Sequence, residues 1–373
     1  MRQLYLAATG QNRGKTTTAL GLIHGFRERG LRTAFSKPVG QRTVIDADGL
    51  PADEDAILVR AVFDLPEPLT VMSPVHIPRG FTRAYIAGQV VEDLGARILE
   101  AQAALRDHDI VVIEGTGHAG VGAVVGLSNA VVAAMLGAPA VIVSGGGIGR
   151  PIDEIVLNAA LFAAHGVPVA GAIVNKVDLD AQPQIATVLE RGLARHGIAL
   201  LGVVPYRPIL SNPTLAMLVE GTGATVLHPG PDLGAAIGGT SVAAMEPEHV
   251  LQRIRDRRLV IVAGDRDDVI LALARAHRAE RRQATLARGA AQPSLVGLVL
   301  TTYPPRGPVV DEIRRADLFA ACLAADAYEV ATLVHDLIVK TRAADREKIA
   351  LIKELVAEWL DVGRILQVAA EVG

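Results

Sequence analysis

Short, largely apolar runs alternate with amphipathic stretches over the first 210 residues. Runs at 3–8, 33–36, 110–113, 140–143, 169–174 and 200–204 have strand length, and 16–29, 91–106, 152–165 and 183–196 have helix length. Strands that are apolar on both faces need cover on both. The alternation therefore predicts a mostly parallel sheet flanked by helices. Ligands of such sheets bind at the loops beyond the carboxyl ends of the strands.

After Pro205-Tyr206-Arg207-Pro208 the pattern restarts, with a junction at Ser211-Asn212-Pro213-Thr214. Strands are predicted at 259–263, 295–300 and 318–323, and helices at 247–256, 268–276 and 329–342. In 345–360 the residues Ile349, Ile352, Leu355, Val356 and Leu360 form one helical face. The chain thus reads as α/β in two domains: 1–210, then a smaller α/β domain with C-terminal helices over 211–373. The basic stretch 278–288 reads as a solvated surface helix.

Composition narrows the partners. Formal net charge is −3 and aromatic residues make up 3%, so neither a cationic surface nor a stacking platform for nucleic acid is expected. A single cysteine, Cys322, excludes an intramolecular disulfide framework and a cysteine-rich zinc site, and points to a cytoplasmic setting. The N-terminus runs into a strand pattern without a signal-peptide layout. From 115 to 149 there is no Asp, Glu, Lys or Arg, but repeated glycines and Pro139 break the run. It reads as loop, buried helix, turn and strand, not as a membrane span.

Gly10-Gln11-Asn12-Arg13-Gly14-Lys15-Thr16-Thr17 follows an apolar strand and precedes a helix-forming run, the context of a phosphate-binding P-loop. Glycines let successive N–H groups turn inward, and the helix N-terminus adds partial positive charge. Lys15 would reach the β- and γ-phosphates and Thr16 would ligate Mg²⁺. Thr9 stands where the commonest pattern has its first glycine, so the loop is a variant. Only six of the 37 basic residues are lysines, and three of these, Lys15, Lys37 and Lys176, lie after candidate strands. Lys37 could hold a γ-phosphate or a substrate carboxylate. One of Asp53, Glu54 and Asp55 could bind Mg²⁺, and Glu114, closing the strand before Gly115-Thr116-Gly117-His118, is placed for metal or water positioning. His118 reads as structural. Asn175-Lys176-Val177-Asp178 has the order that reads a nucleotide base, and from these residues alone the base could be guanine. The acids of Gly264-Asp265-Arg266-Asp267-Asp268 read as helix caps.

The Gly14-Lys15-Thr16 loop, Lys37-Pro38-Val39, Asp55-Ala56, Glu114-Gly115-Thr116-Gly117, Val174-Asn175-Lys176 and Leu201-Gly202-Val203-Val204-Pro205 together resemble the dethiobiotin synthetase family over nearly all of 1–208. The resemblance implies ATP and Mg²⁺ as cofactors and a homodimer. Gly10, Asn12, Arg13, Gly14, Lys15, Thr16 and Thr17 would cradle phosphate, Asn175 would read adenine, and Thr16, Asp55 and Glu114 would hold the metal. Lys15 and Lys37 would be catalytic. The regions 76–83 and 120–128 carry no residue that marks that family's substrate.

Gly264-Asp265-Arg266-Asp267-Asp268-Val269, Gly297-Leu298-Val299-Leu300 and Ala325-Asp326-Ala327-Tyr328-Glu329 are similar to the DRTGG domain. That pairing resembles the N-terminal part of long phosphotransacetylases and proteins described as BioD-like. A phosphotransacetylase catalytic domain would need about two hundred more residues, a whole domain, so acetyl transfer is not expected. Neither is glutamine amidotransfer, because the surroundings of Cys322 lack that motif. The expected function is an ATPase or ATP-dependent ligase that phosphorylates a carboxylate or carbamate of a small molecule. The alternative is a nucleotide sensor that signals to a protein partner through the second domain.

Overall fold

The computed structural model describes residues 1–45, 49–286, 294–337 and 339–371. Two compact units are present: Met1–Tyr206 together with Ile349–Gly373, and Arg207–Lys348.

The first unit is built from β1 (Arg2–Ala8), α1 (Lys15–Arg27), β2 (Thr33–Ser36), α2 (Glu54–Phe63), α3 (Leu94–Ala103), β3 (Ile110–Glu114), α4 (Asn129–Leu136), β4 (Ala140–Ser144), α5 (Gly149–Ala164), β5 (Val169–Val177), α6 (Ile185–Ala194) and β6 (Leu200–Pro205). Its six strands pair in the order β6-β5-β4-β1-β3-β2, all parallel. Along β1, Tyr5 and Ala7 enter a core shared with Ile113, Ile142 and Phe162, while the alternate residues Leu4 and Leu6 are buried as completely. Burying Leu4 or Leu6 contributes about 1.5–3 kcal/mol each. Because β1 lies at the sheet centre, its loop opens between the carboxyl ends of β3 and β4. The uncharged stretch 115–149 forms loop, the eight-residue α4 and the buried strand β4. Among the described residues no helix is long and apolar enough to cross a membrane.

The second unit holds α7 (Leu215–Thr222), β7 (Thr225–His228), β8 (Gly239–Val242), α8 (Pro247–Leu251), β9 (Arg258–Ala263), α9 (Asp267–Leu286), β10 (Leu295–Thr301), α10 (Gly307–Ala316), β11 (Phe319–Leu323) and α11 (Ala327–His335). The sheet order is β7-β11-β10-β9-β8, with only β7 antiparallel. Strands β7 and β8 are short and half exposed, and their sequence carries no apolar run. Arg278 pairs with Glu312 at 2.9 Å and Arg281 with Asp317 at 2.7 Å, so this basic helix is partly committed to ion pairs and not wholly solvated. Residues 287 and 288 of that stretch lie outside the described residues.

Helices α12 (Arg346–Trp359) and α13 (Val362–Glu371) close the described chain. The sequence places them with the second domain, yet from Ile349 onward they cluster with the first unit. The reason lies in α1. A Cβ on Gly21 would overlap Val356, and one on Gly25 would stand 3.1 Å from Val362. Two glycines four residues apart bare one side of α1, and the C-terminal helices use it. Asp361 N–H also donates to the Leu201 carbonyl at 3.2 Å, pairing with the edge strand β6.

Candidate functional site

The loop between β1 and α1 curls through two left-handed residues, Asn12 (φ 56°) and Gly14 (φ 97°). Its start is tied down by Thr9, whose N–H donates to Val143 O at 3.0 Å and whose hydroxyl lies 3.1 Å from Ser144 Oγ. Its end is held by Asn175 of β5, whose Nδ2 donates to Arg13 O at 3.1 Å. A Cβ on Gly14 would run into that same amide, so glycine is required there for space as well as for φ. Helix α1 then starts at Lys15 with no side-chain cap and no acid in its first turn. That leaves the helix N-terminus to an anion. Gly10 and Arg13 lie in this loop, and Lys15, Thr16 and Thr17 begin α1.

The carboxyl ends of β2 and β3 bring the remaining charges together. Lys37 Nζ lies 2.7 Å from Asp55 Oδ2 and 2.8 Å from Glu114 Oε1. The Thr16 hydroxyl lies 2.9 Å from Glu114 Oε1 and 3.2 Å from Asp55 Oδ1. Lys37 is 4% exposed and Glu114 1%. Burial works against the Lys37 charge, but Glu114 and Asp55 outweigh it and raise the lysine above its ordinary value. Burial also pushes the Glu114 carboxyl up to about 7, against the pull of Lys37. Lys37 is therefore held in its charged form, while burial disfavours the charge on Glu114.

Of the three acids the sequence offers at 53–55, the structure separates the roles. Asp53 caps α2, its Oδ1 accepting the Asp55 N–H at 3.0 Å, while Asp55 turns to Thr16 and Lys37. A divalent cation has a specific test here. Glu114 Oε2 is buried without a hydrogen-bond partner, beside a hydroxyl and a second carboxylate. Such an all-oxygen set suits Mg²⁺, which keeps several waters and takes phosphate oxygens. Among the described residues there is no group of three His, Cys, Asp or Glu fit to hold a metal, so a fuller protein cage is not built.

Three supporting residues escape sequence reading. Asn129, at the start of α4, accepts the Tyr5 hydroxyl at 2.9 Å and the Thr116 N–H at 3.0 Å. Its amide donates to Thr116 O at 2.8 Å and His118 O at 2.6 Å, which fixes the loop leaving Glu114. Burial raises the Tyr5 phenol well above its usual range, keeping it a neutral donor. Asn158 holds the next turn through the Ala119 N–H at 2.7 Å. Glu154 reaches Arg13 at 3.5 Å and Arg150 at 2.6 Å. Asn129 at the first position of α4 and Asn158 inside α5 belong to no motif, so no sequence signal marks them.

Asn175 is placed against the loop, with its Oδ1 accepting the Lys176 N–H at 2.8 Å. Lys176 is in the left-handed region (φ 61°), and Asp178 Oδ1 accepts the Ala181 N–H at 3.1 Å, a local turn. His118 Nδ1 accepts the Gly120 N–H at 3.2 Å and braces its own loop. In the second unit the acids at 267–268 are spent on arginines: Arg266 forks onto Asp268 at 2.9 Å and Arg306 reaches Asp267 at 3.3 Å.

The AAA domain family model matches residues 2–214, and the DRTGG domain model matches 217–337. Phosphate acetyltransferase of Pseudomonas putida is 29% identical over 98% of this chain and 52% of its own length. The enzyme of that name from Pseudomonas aeruginosa is 28% identical over 97% and 51%. That from Synechocystis is 27% identical over 82% and 43%. The chain spans about half the length of these curated relatives. Among solved structures, the MinC:MinD cell division protein complex of Aquifex aeolicus is similar over 57% of this chain and 84% of its own. Identity there is 11% and the TM-score 0.36, below the level that establishes a shared fold.

These relatives correct one expectation. Chain length argues against acetyl transfer to phosphate, yet proteins named for that reaction align through both units. Chain length is a poor guide when only half of each relative is in view. What the match covers is the variant loop, the strand edge and the helix start described above, and with residues 2–214 of 373 inside it the chain belongs to the AAA domain family.

Proposed function

We propose that the chain is the Mg-ATP-binding module of a phosphate acetyltransferase system, in which nucleotide occupancy of the P-loop controls acetyl transfer to phosphate. The observation that carries the nucleotide half is the uncapped start of α1 facing Thr16, Asp55 and Glu114. Lys15 and the loop N–H groups would hold the β- and γ-phosphates. Thr16, Asp55 and Glu114 would hold Mg²⁺, which supplies charge neutralisation on the phosphates. By the dethiobiotin-synthetase resemblance, Asn175 would read adenine, releasing its amide from the loop to do so. The relatives' name supports the acetyl-transfer half, and the DRTGG domain would carry the signal.

A second reading, phosphorylation of a carboxylate or carbamate as in the dethiobiotin synthetase class, is favoured only by Lys37, held between Asp55 and Glu114 beside Thr16. ATP binding by calorimetry tests the shared premise, and Lys15→Ala should abolish it while leaving the fold intact. Unchanged ATP affinity in that variant overturns the site. Acetyl phosphate formation from acetyl-CoA and phosphate, measured with and without ATP, should respond to nucleotide through the same lysine. ATP turnover stimulated by diaminopelargonate plus bicarbonate would favour the second reading instead.

A further inference from the structure

The oxygens of Asp55 and Glu114 converge on a cation that the chain itself supplies. Lys37 Nζ lies 2.7 Å from Asp55 Oδ2, 2.8 Å from Glu114 Oε1 and 3.4 Å from the Gly115 carbonyl. Two of these oxygens belong to carboxylates assigned above to Mg²⁺, and the third metal donor, Thr16, bonds to the same pair. A divalent ion seated on Asp55, Glu114 and Thr16 would stand close to this ammonium, and two cations so close in a buried site repel. We propose that Lys37 is an internal stand-in for the divalent ion. Without ligand its ammonium fills the cation position, and metal binding expels it from between Asp55 and Glu114 toward the phosphate oxygens arriving at the P-loop.

Three features fit a stand-in better than a permanent ion pair. Lys37 is 4% exposed, so its charge has no water to retreat to while it stays in place. Glu114 Oε2 stays unpartnered, so the ammonium satisfies the site less fully than an oxygen-seeking divalent ion would. Lys37 directly follows the Thr33–Ser36 strand, so its backbone is fixed while a long flexible stem carries the head group. The device makes metal and polyphosphate cooperative. Metal alone must displace the ammonium into an empty loop, whereas a bound phosphate gives that ammonium a new partner.

The displacement by metal does not depend on the nucleotide reading; only the destination of the ammonium rests on it. The test is a titration of Mn²⁺ into the full chain without nucleotide, with free Mn²⁺ read by electron paramagnetic resonance. Wild type should bind weakly, and Lys37→Gln should bind at least about tenfold more tightly. Adding Glu114→Gln to that variant should erase the gain. Equal Mn²⁺ affinity in wild type and Lys37→Gln overturns the proposal. A Lys37→Gln chain that is unfolded in metal-free buffer should regain its circular dichroism with Mn²⁺, and failure to do so also overturns it. The Mn²⁺ gain without any ATP binding would leave the stand-in intact and sink the nucleotide reading; ATP binding without the gain would do the reverse.

Discussion

The Asn175 side-chain amide donates to the Arg13 carbonyl at 3.1 Å, joining β5 to the P-loop across 162 residues of chain. It stands in the space a Gly14 side chain would need. Gly14→Ala should therefore cost about 1–3 kcal/mol, from a left-handed backbone and a displaced Asn175 together. Urea denaturation should show the loss and calorimetry a weakened ATP affinity. A variant with wild-type stability would mean that the loop relaxes without cost.

Asn129 makes four hydrogen bonds and is 4% exposed. Asn129→Ala should destabilise the first unit by at least about 1–3 kcal/mol, the cost of leaving even one buried polar group unpaired. The loop between Thr116 and Ser128 should become a proteolytic cleavage site. Protection equal to wild type would show that this loop holds itself.

His277 is 4% exposed in the second unit. Burial, and then Arg281, hold its ring below the ordinary value of 6.5, while Glu280 and Asp317 oppose this too weakly. Below pH 6.5 the unfolded chain takes up a proton that the folded chain refuses. Stability is thus full above that pH and falls as pH drops toward the folded value, by up to ~1.4 kcal/mol per pH unit. His277→Leu should flatten this segment of the stability curve in urea unfolding. An unchanged slope would assign the effect to other groups.

Gly21→Ala tests the seat of the C-terminal helices. Alanine is the better helix former by about 1 kcal/mol, so a stabilised variant is the outcome to expect if nothing touches Gly21. The overlap with Val356 predicts the opposite, a loss of about 1–3 kcal/mol from overpacking. Adding Val356→Ala should recover part of it, and a double-mutant cycle in thermal unfolding reads the coupling.

The parallel sheet was legible because β1, β3 and β4 are buried on both faces and so read as unbroken apolar runs. The loop was legible because phosphate binding needs particular residues at particular spacings. Asn129, Asn158 and Glu154 left no trace, since their contacts to the site reach across the sequence: Asn129 meets Tyr5 across 124 positions, Asn158 meets Ala119 across 39 and Glu154 meets Arg13 across 141. The same holds for the attachment of residues 349–371 to α1, which depends on two glycines whose only signal is a missing side chain. Strands β7 and β8 went unseen because half-exposed four-residue strands need no apolar pattern. The choice among Asp53, Glu54 and Asp55 required the cap at Asp53 to be seen.

Helix α1 leads directly out of the P-loop, and part of its cover is translated only after all of Arg207–Lys348. During synthesis a nascent chain that already has its loop, its six strands and Lys15, Lys37 and Lys176 would still carry a bare stripe at Gly21 and Gly25. The nucleotide unit is thus finished late, by residues that a cut at the apparent domain junction would remove, and its maturation is bound to the completion of everything encoded in between.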